Sequence, residues 1–213
     1  MLSDGEFTQL NALQLDALRE IGNVGAGNAA TALSQLINKK INMSVPKVSV
    51  APIGDVPDLV GGPETLVAGV FLRVFGQAPS SILFLLPHDS AFALVDTLMH
   101  RTTDRTDYEI TEMEESALKE IGNILSGAYL NALAHFTQIT LLPSIPSLAI
   151  DMAGAILSII LIQLGQVGDY ALVIETEFSA NTENDDVRGH FFLIPDPGSL
   201  SIILEAIGVK ENG

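Results

Sequence analysis

One short segment of this chain occurs twice, and the two copies lie 100 residues apart. Residues 16–23 read DALREIGN, and residues 116–123 read SALKEIGN. Each copy is followed at the same distance by a proline, Pro46 in the first case and Pro146 in the second. Two copies of one unit are expected to fold alike, so the repeat predicts two related halves around a pseudo-twofold axis.

Both halves show the same order of elements. Apolar residues recur at helical spacing through each motif, and the proline then opens a stretch with the alternation of a strand. A hairpin and a helix are predicted later in each half, at 66–74, 80–86 and 91–99 and then at 171–178, 190–194 and 200–207. We predict an α+β fold in one compact domain, with halves 1–100 and 101–213. An antiparallel sheet would carry the motif-bearing helices on its outside.

The two halves differ after their first strands. Residues 54–63 are rich in Pro and Gly and predict a loop, whereas the matching stretch of the second half predicts an apolar helix from Asp151. The polar residues 100–108 are predicted to link the halves. Thr111 and Glu114 have the spacing of a capping box, which predicts the start of the second motif helix.

The composition excludes several classes of function. A net charge of -16 argues against binding to nucleic acid, whose phosphates require clustered Lys and Arg, and against binding to anionic membrane surfaces. The absence of cysteine excludes a thiolate metal site and suits the cytoplasm. The first residues lack the pattern of a signal peptide, and the apolar run 153–164 is too short to span a bilayer. No metal site is expected, because no metal-ligand spacing connects His88, His100, His135 and His190.

Each motif places three polar side chains on one face of a helix. Asp16, Glu20 and Asn23 are spaced i, i+4 and i+7, so they project from the same side. The second copy has this spacing at Ser116, Glu120 and Asn123. A carboxylate can pair with a cation of a partner, and a carboxamide can hold a water molecule in a fixed orientation. The motif therefore suits the orientation of a hydrolytic water toward an electrophile on another molecule. A solvated helix face without function is the alternative.

Glycines accompany both motifs. Gly22 and Gly122 precede the asparagines, and Gly27 and Gly127 follow them. Because glycine in a helix costs about 1 kcal/mol relative to alanine, we expect these positions to allow close approach to a helix or to the sheet. Residues 22–27 also resemble a dinucleotide-binding glycine loop. Such a loop follows a strand, however, and here a helical pattern precedes it.

The full spacing Asp/Ser-x3-Glu-x2-Asn-x22-Pro resembles the signature of the CheC, CheX and FliY family of chemotaxis phosphatases. Both copies fit this signature completely, at Asp16, Glu20, Asn23 and Pro46 and at Ser116, Glu120, Asn123 and Pro146. The resemblance covers essentially the whole chain. Two intact copies in one short chain resemble the CheC type within this family.

This resemblance implies a hydrolase that removes the phosphoryl group from the aspartyl phosphate of phosphorylated CheY, a response regulator in signal transduction. Glu20 and Glu120 would pair with the active-site lysine of CheY, and Asn23 and Asn123 would align the attacking water. Substrate docking would involve Asp16, Ser116, Pro46 and Pro146. The required magnesium would sit on CheY, so this chain would hold no cofactor.

A second partner is also implied by the resemblance, because CheC proteins bind the receptor deamidase CheD through a helix of the second half. Residues 151–156 resemble that segment, and Asp151 is the expected polar contact. A plain core helix is the alternative interpretation of this segment. For the whole chain, the alternative function is a non-catalytic adaptor that binds CheD or a flagellar switch component.

Charge and symmetry bear on how such partners would be bound. CheY-like regulators are often acidic, as is this chain, so long-range attraction is expected to be weak. Four basic residues are expected to reduce the negative field near the motif helices: Arg19, Lys39, Lys40 and Lys119. We therefore expect modest affinity with strong salt dependence. Because one chain already supplies both halves, we expect a monomer.

Overall fold

The computed structural model describes residues 10, 12–38, 40–99, 110–164, 170–180 and 186–207. The predicted linker 100–108 lies outside the described residues. The helices are α1 Ala12–Ile37, α2 Val56–Leu59, α3 His88–Leu98, α4 Glu112–Thr137, α5 Ala153–Leu164 and α6 Ser199–Ile207. The strands are β1 Ile41–Pro52, β2 Leu66–Gly76, β3 Ser80–Pro87, β4 Leu141–Pro143, β5 Ser147–Met152, β6 Tyr170–Ala180 and β7 Asp186–Pro195.

The seven strands in the described part of the chain form one antiparallel sheet in which the two halves are interleaved. The order is β1-β6-β7-β3-β2-β4, and β5 also pairs with β2. Strand β1 of the first half therefore pairs with β6 in the hairpin of the second half, and β4 and β5 of the second half pair with β2 in the hairpin of the first half. The two hairpins meet at the centre, where Phe84 of β3 lies opposite Phe191 of β7. This arrangement confirms the predicted α+β fold with two related halves.

Helices cover both faces of the sheet because successive strand residues point to opposite sides. Val70 and Leu72 of β2 belong to the core that also contains buried residues of α1, α3, α4 and α6. Val67, on the other face, belongs to a second core with residues of α2 and α5. Full burial of one such aliphatic side chain stabilises the fold by about 1.5–3 kcal/mol. The two long helices are thus anchored side by side on the larger core.

Both ends of α4 are explained by its sequence. The Thr111 N–H donates to the Glu114 carboxylate at 2.8 Å, and the Glu114 N–H donates to Thr111 Oγ1 at 3.4 Å. This is the predicted capping box, and such a cap contributes about 1 kcal/mol. Helices α1 and α4 are followed by residues in the left-handed conformation, Asn38 with φ 52° and Gln138 with φ 57°. These matching residues turn the chain from each helix toward the sheet.

Most of the predicted elements are confirmed, and two differ. The hairpins are β2–β3 and β6–β7, and the helices that follow them are α3 and α6. The loop predicted at 54–63 instead contains α2, because Pro57 stands at the start of that helix, where no N–H is needed. Asp151 lies in β5, and the apolar helix begins at Ala153. None of the described helices is long and apolar enough to cross a membrane.

Candidate active site

Helix α1 carries the first motif on its solvent side. Leu18 and Ile21 are buried against the sheet, 4% and 5% exposed, whereas Asp16, Glu20 and Asn23 are exposed. The helical period separates these two groups, since residues three or four apart share a face. The carboxylate of Glu20 and the carboxamide of Asn23 are therefore both open to a partner.

Helix α4 presents the second motif in the same way. Ser116, Glu120 and Asn123 are exposed, while Leu118 and Ile121 are buried. The two motifs thus lie on neighbouring helices that pack against each other on one face of the sheet. The structure brings together the polar residues of each motif on one exposed helix face.

The first residue of each motif already has a partner on its own helix. Asp16 forms an ion pair with Arg19 at 3.0 Å. Ser116 donates its hydroxyl hydrogen to the carbonyl oxygen of Glu112 at 2.9 Å. Both side chains still have oxygen lone pairs that can accept a hydrogen bond from a docking partner.

Both prolines of the motif lie where a strand ladder is interrupted. In β1 the pairing with β6 shifts between Ser44 and Lys47, and Pro46 stands within that shift. In the second half the ladder breaks between Pro143 and Ser147, and Pro146 stands within that break. Proline has no N–H for a ladder hydrogen bond, so its place in the sequence accounts for both irregularities.

The irregularity next to Pro46 holds the first asparagine. The backbone N–H of Val45 donates to Oδ1 of Asn23 at 3.4 Å, which connects β1 to the motif face of α1. Val45 itself is buried, 4% exposed. This contact restricts the orientation of the Asn23 carboxamide while leaving its NH₂ group and one oxygen lone pair available.

The second asparagine has no such contact with another described residue. Ile145 occupies the position that matches Val45, and it is 88% exposed. The two motifs are therefore alike in sequence but differ in their surroundings, one carboxamide being tethered to the sheet and the other free among the described residues. Sequence comparison did not reveal this difference because Val45 and Ile145 are both aliphatic.

Glycine permits close packing at only some of the predicted positions. A Cβ atom on Gly122 would lie 2.4 Å from Cγ1 of Val70, so α4 approaches β2 closely there. At Gly22 the nearest atom would be 3.5 Å away, an ordinary contact. The prediction is wrong for Gly27 and Gly127, where a Cβ would meet nothing within 4 Å. Because α1 is continuous through residues 22–27, no strand precedes these glycines.

The segment that resembles a CheD-binding helix has both a core side and an exposed side. Asp151 is exposed, and its carboxylate accepts a hydrogen bond from the Met152 N–H at 2.8 Å. Gly154 is in close contact with Pro63, since a Cβ there would lie 3.1 Å from the proline ring. On the solvent side of α5, Ile159 and Ile162 are 51% and 80% exposed. Packing therefore explains part of this helix, and its outer side is free for other contacts.

Two described residues outside the motifs have shifted pKa values. Burial raises the pKa of Tyr129 to about 12, partly opposed by its hydrogen bond with Thr176. Burial lowers the pKa of His190, partly opposed by the charge of Glu175. Within the described residues, no three His, Cys, Asp or Glu side chains are grouped so that they could hold a metal ion.

Comparison with known proteins assigns the family. The chain is 38% identical over 205 residues to the CheY-P phosphatase CheC of Bacillus subtilis (strain 168), a match that covers 96% of this chain and 98% of that protein. The chain belongs to the CheC-like family. The model of that family matches residues 13–50 and 113–150, which contain both motif helices and both prolines.

Other proteins share parts of this sequence or its fold. The flagellar motor switch phosphatase FliY of Bacillus subtilis (strain 168) is 32% identical over 123 residues, which are 58% of this chain and 32% of that protein. The crystal structure of Thermotoga maritima FliY has a TM-score of 0.73 at 19% identity, covering 95% of this chain and 99% of that one. The second likeness shows that the CheC-like chain and FliY share a fold.

Proposed function

We propose that this CheC-like chain is a phosphatase that hydrolyses the aspartyl phosphate of phosphorylated CheY. The observation that supports this most directly is the exposure of a carboxylate and a carboxamide on one stripe of each long helix. The relative that matches over nearly its whole length is named a CheY-P phosphatase. A partner that carries the electrophile can approach either stripe, because neither lies in a closed pocket.

In the proposed mechanism the carboxamide orients the nucleophile. Glu20 or Glu120 pairs with a lysine of CheY, and Asn23 or Asn123 accepts a hydrogen bond from water. The water oxygen attacks phosphorus in line as the bond from phosphorus to the aspartate oxygen breaks, with the electron pair returning to the carboxylate. The proton released by the water ends on inorganic phosphate. This chain supplies position rather than acid or base.

We propose that the magnesium ion needed for this chemistry is held by CheY, where it would neutralise charge on the phosphoryl oxygens. The motif stripes suit this division, because each offers one exposed carboxylate and one carboxamide instead of a set of converging metal ligands. A monomer in the cytoplasm stays a prediction.

We also propose CheD as a second partner, bound at α5 and Asp151. The exposed apolar side chains of Ile159 and Ile162 support this proposal, because a partner could bury them. Helix α5 has 12 residues, whereas α2 in the first half has only 4, so this surface is specific to the second half. A protein that binds CheD without hydrolysing the aspartyl phosphate of CheY would be the adaptor considered above. The next experiment separates that adaptor from the enzyme.

The test measures the decay of phosphorylated CheY with wild type, Asn23→Ala, Asn123→Ala and the double variant. We expect partial loss of acceleration in each single variant and decay at the rate of CheY alone with the double variant. Asn131→Ala is the matched control, because Asn131 is an exposed asparagine farther along α4. If the double variant still accelerates decay as wild type does, the chain is an adaptor instead.

A further inference from the structure

Basic residues are placed unusually on this acidic chain. The chain has 10 Lys and Arg residues against 26 Asp and Glu. Within the described helices, Lys or Arg occurs at two positions, Arg19 of α1 and Lys119 of α4. The other described basic residues lie on strands or next to one: Lys40, Lys47, Arg73 and Arg188. The helices therefore carry positive charge only inside the two motifs, among the residues that the structure describes.

Both basic residues lie within the motif stripe itself. Arg19 is three residues after Asp16 and four before Asn23, and both spacings place it on the same helix face. Lys119 has the same relation to Ser116 and Asn123. Their side chains are 52% and 38% exposed. A partner that reaches either asparagine would also meet the neighbouring cation.

Both motifs have a basic residue at the same position, but its ion-pair partner differs between the halves. Arg19 pairs with Asp16, the first residue of its motif, at 3.0 Å. The matching residue Ser116 cannot form an ion pair, and Lys119 instead pairs with Glu115 at 3.4 Å. Exposed ion pairs on one helix add little to stability, so stability does not explain why a cation occurs twice at this position.

We propose that Arg19 and Lys119 are docking residues that contact the acidic rim of the phosphorylated active site of the regulator. This inference rests on the proposed function. An aspartyl phosphate, together with the carboxylates that hold a magnesium ion, makes such a site strongly anionic. A chain with a net charge of -16 repels it at long range, and each motif glutamate adds to that repulsion. A cation beside each glutamate offsets the repulsion where the two proteins meet.

The test compares two double variants that change the net charge equally. Arg19→Gln/Lys119→Gln removes the docking cations, and Lys40→Gln/Lys47→Gln removes two exposed cations outside the helices. We expect kcat/KM for phosphorylated regulator to fall roughly fivefold to tenfold at low ionic strength in the first variant, with kcat unchanged. The loss should shrink at high salt, and Arg19→Lys should keep near wild-type values. The control variant should stay within about twofold of wild type.

Either of two kinetic results would overturn the proposal. An equal loss in both double variants would mean that net charge alone matters, and a loss confined to kcat would mean that these residues do not act in docking. Titration with regulator carrying beryllofluoride and magnesium separates this proposal from the proposed function. Arg19→Gln/Lys119→Gln should weaken that binding, whereas Asn23→Ala/Asn123→Ala should abolish hydrolysis while binding persists. Hydrolysis that survives the asparagine changes would refute the phosphatase, and unchanged binding of the Gln variant would refute the docking role.

Discussion

At the scale of single residues, the two asparagines share a chemistry but differ in freedom. Asn23 is held by the N–H of Val45, whereas Asn123 has no partner among the described residues. A tethered carboxamide has lost part of its rotational freedom before the partner arrives, and a free one loses it on docking. The entropy lost when a partner fixes the carboxamide therefore differs between the two sites, even though their motifs are nearly the same.

Tyr129 gives a prediction at the same scale. Its pKa is raised from 10.0 to about 12 because burial disfavours the charged phenolate. The folded state thus keeps a proton that the unfolded state releases first, so stability is unaffected below pH 10 and falls as pH rises from about 10 to 12. The total loss should be roughly 2–3 kcal/mol. Urea unfolding across this pH range should show a smaller fall for Tyr129→Phe, and parallel profiles would contradict the prediction.

At the scale of elements, the approach of α4 to the sheet depends on one glycine. Val70 of β2 fills the space that a side chain at Gly122 would need, and its branched side chain can adjust little. Gly127 lies on the same helix beside open space. The two glycines share a helix and differ in what surrounds them, so they separate packing from helix propensity.

Substitution of these glycines by alanine should therefore have opposite effects. Gly122→Ala should lower the free energy of unfolding by roughly 1–3 kcal/mol, because the new methyl group overlaps Val70. Gly127→Ala should raise it by up to about 1 kcal/mol, because alanine favours the helix and meets no neighbour. Equilibrium denaturation in urea measures both changes. Equal effects of the two substitutions would show that α4 does not lie as close to β2 as described.

At the scale of the whole molecule, the halves depend on each other. Strand pairs join the halves: β1 pairs with β6, β4 and β5 pair with β2, and β3 of one hairpin pairs with β7 of the other. The Arg73 guanidinium also crosses between the halves, donating to Asp196 through Nη1 at 2.7 Å and to Ser81 Oγ at 2.9 Å. Separation of the halves would expose strand edges and both cores at once.

We therefore expect that neither half folds alone. Residues 1–100 expressed separately should lack a cooperative thermal transition, because β1 loses β6 and β3 loses β7. The same holds for residues 101–213, and the full chain should unfold in a single transition. Calorimetry and circular dichroism of the three proteins test this. A cooperative transition in either fragment would mean that the halves are independent domains.

Much of the fold and the motif geometry could be predicted from the sequence, because these features depend on local periodicity. The helical spacing placed Glu20 and Asn23 on one face, and the capping box marked the start of α4. Apolar runs on either side of a turn located both hairpins. Such patterns report which side of an element is buried, and this information is contained in neighbouring residues.

Only the tertiary structure decided which strands pair and what surrounds each motif. Periodicity does not distinguish β6 from β2 as the partner of β1, because either would bury the same alternating residues. It also treats Val45 and Ile145 alike, although one donates to Asn23 and the other lies in solvent. The local sequence thus determined the polar stripes themselves. Contacts between residues far apart in the chain determined which asparagine is held, because such contacts form only in the complete fold.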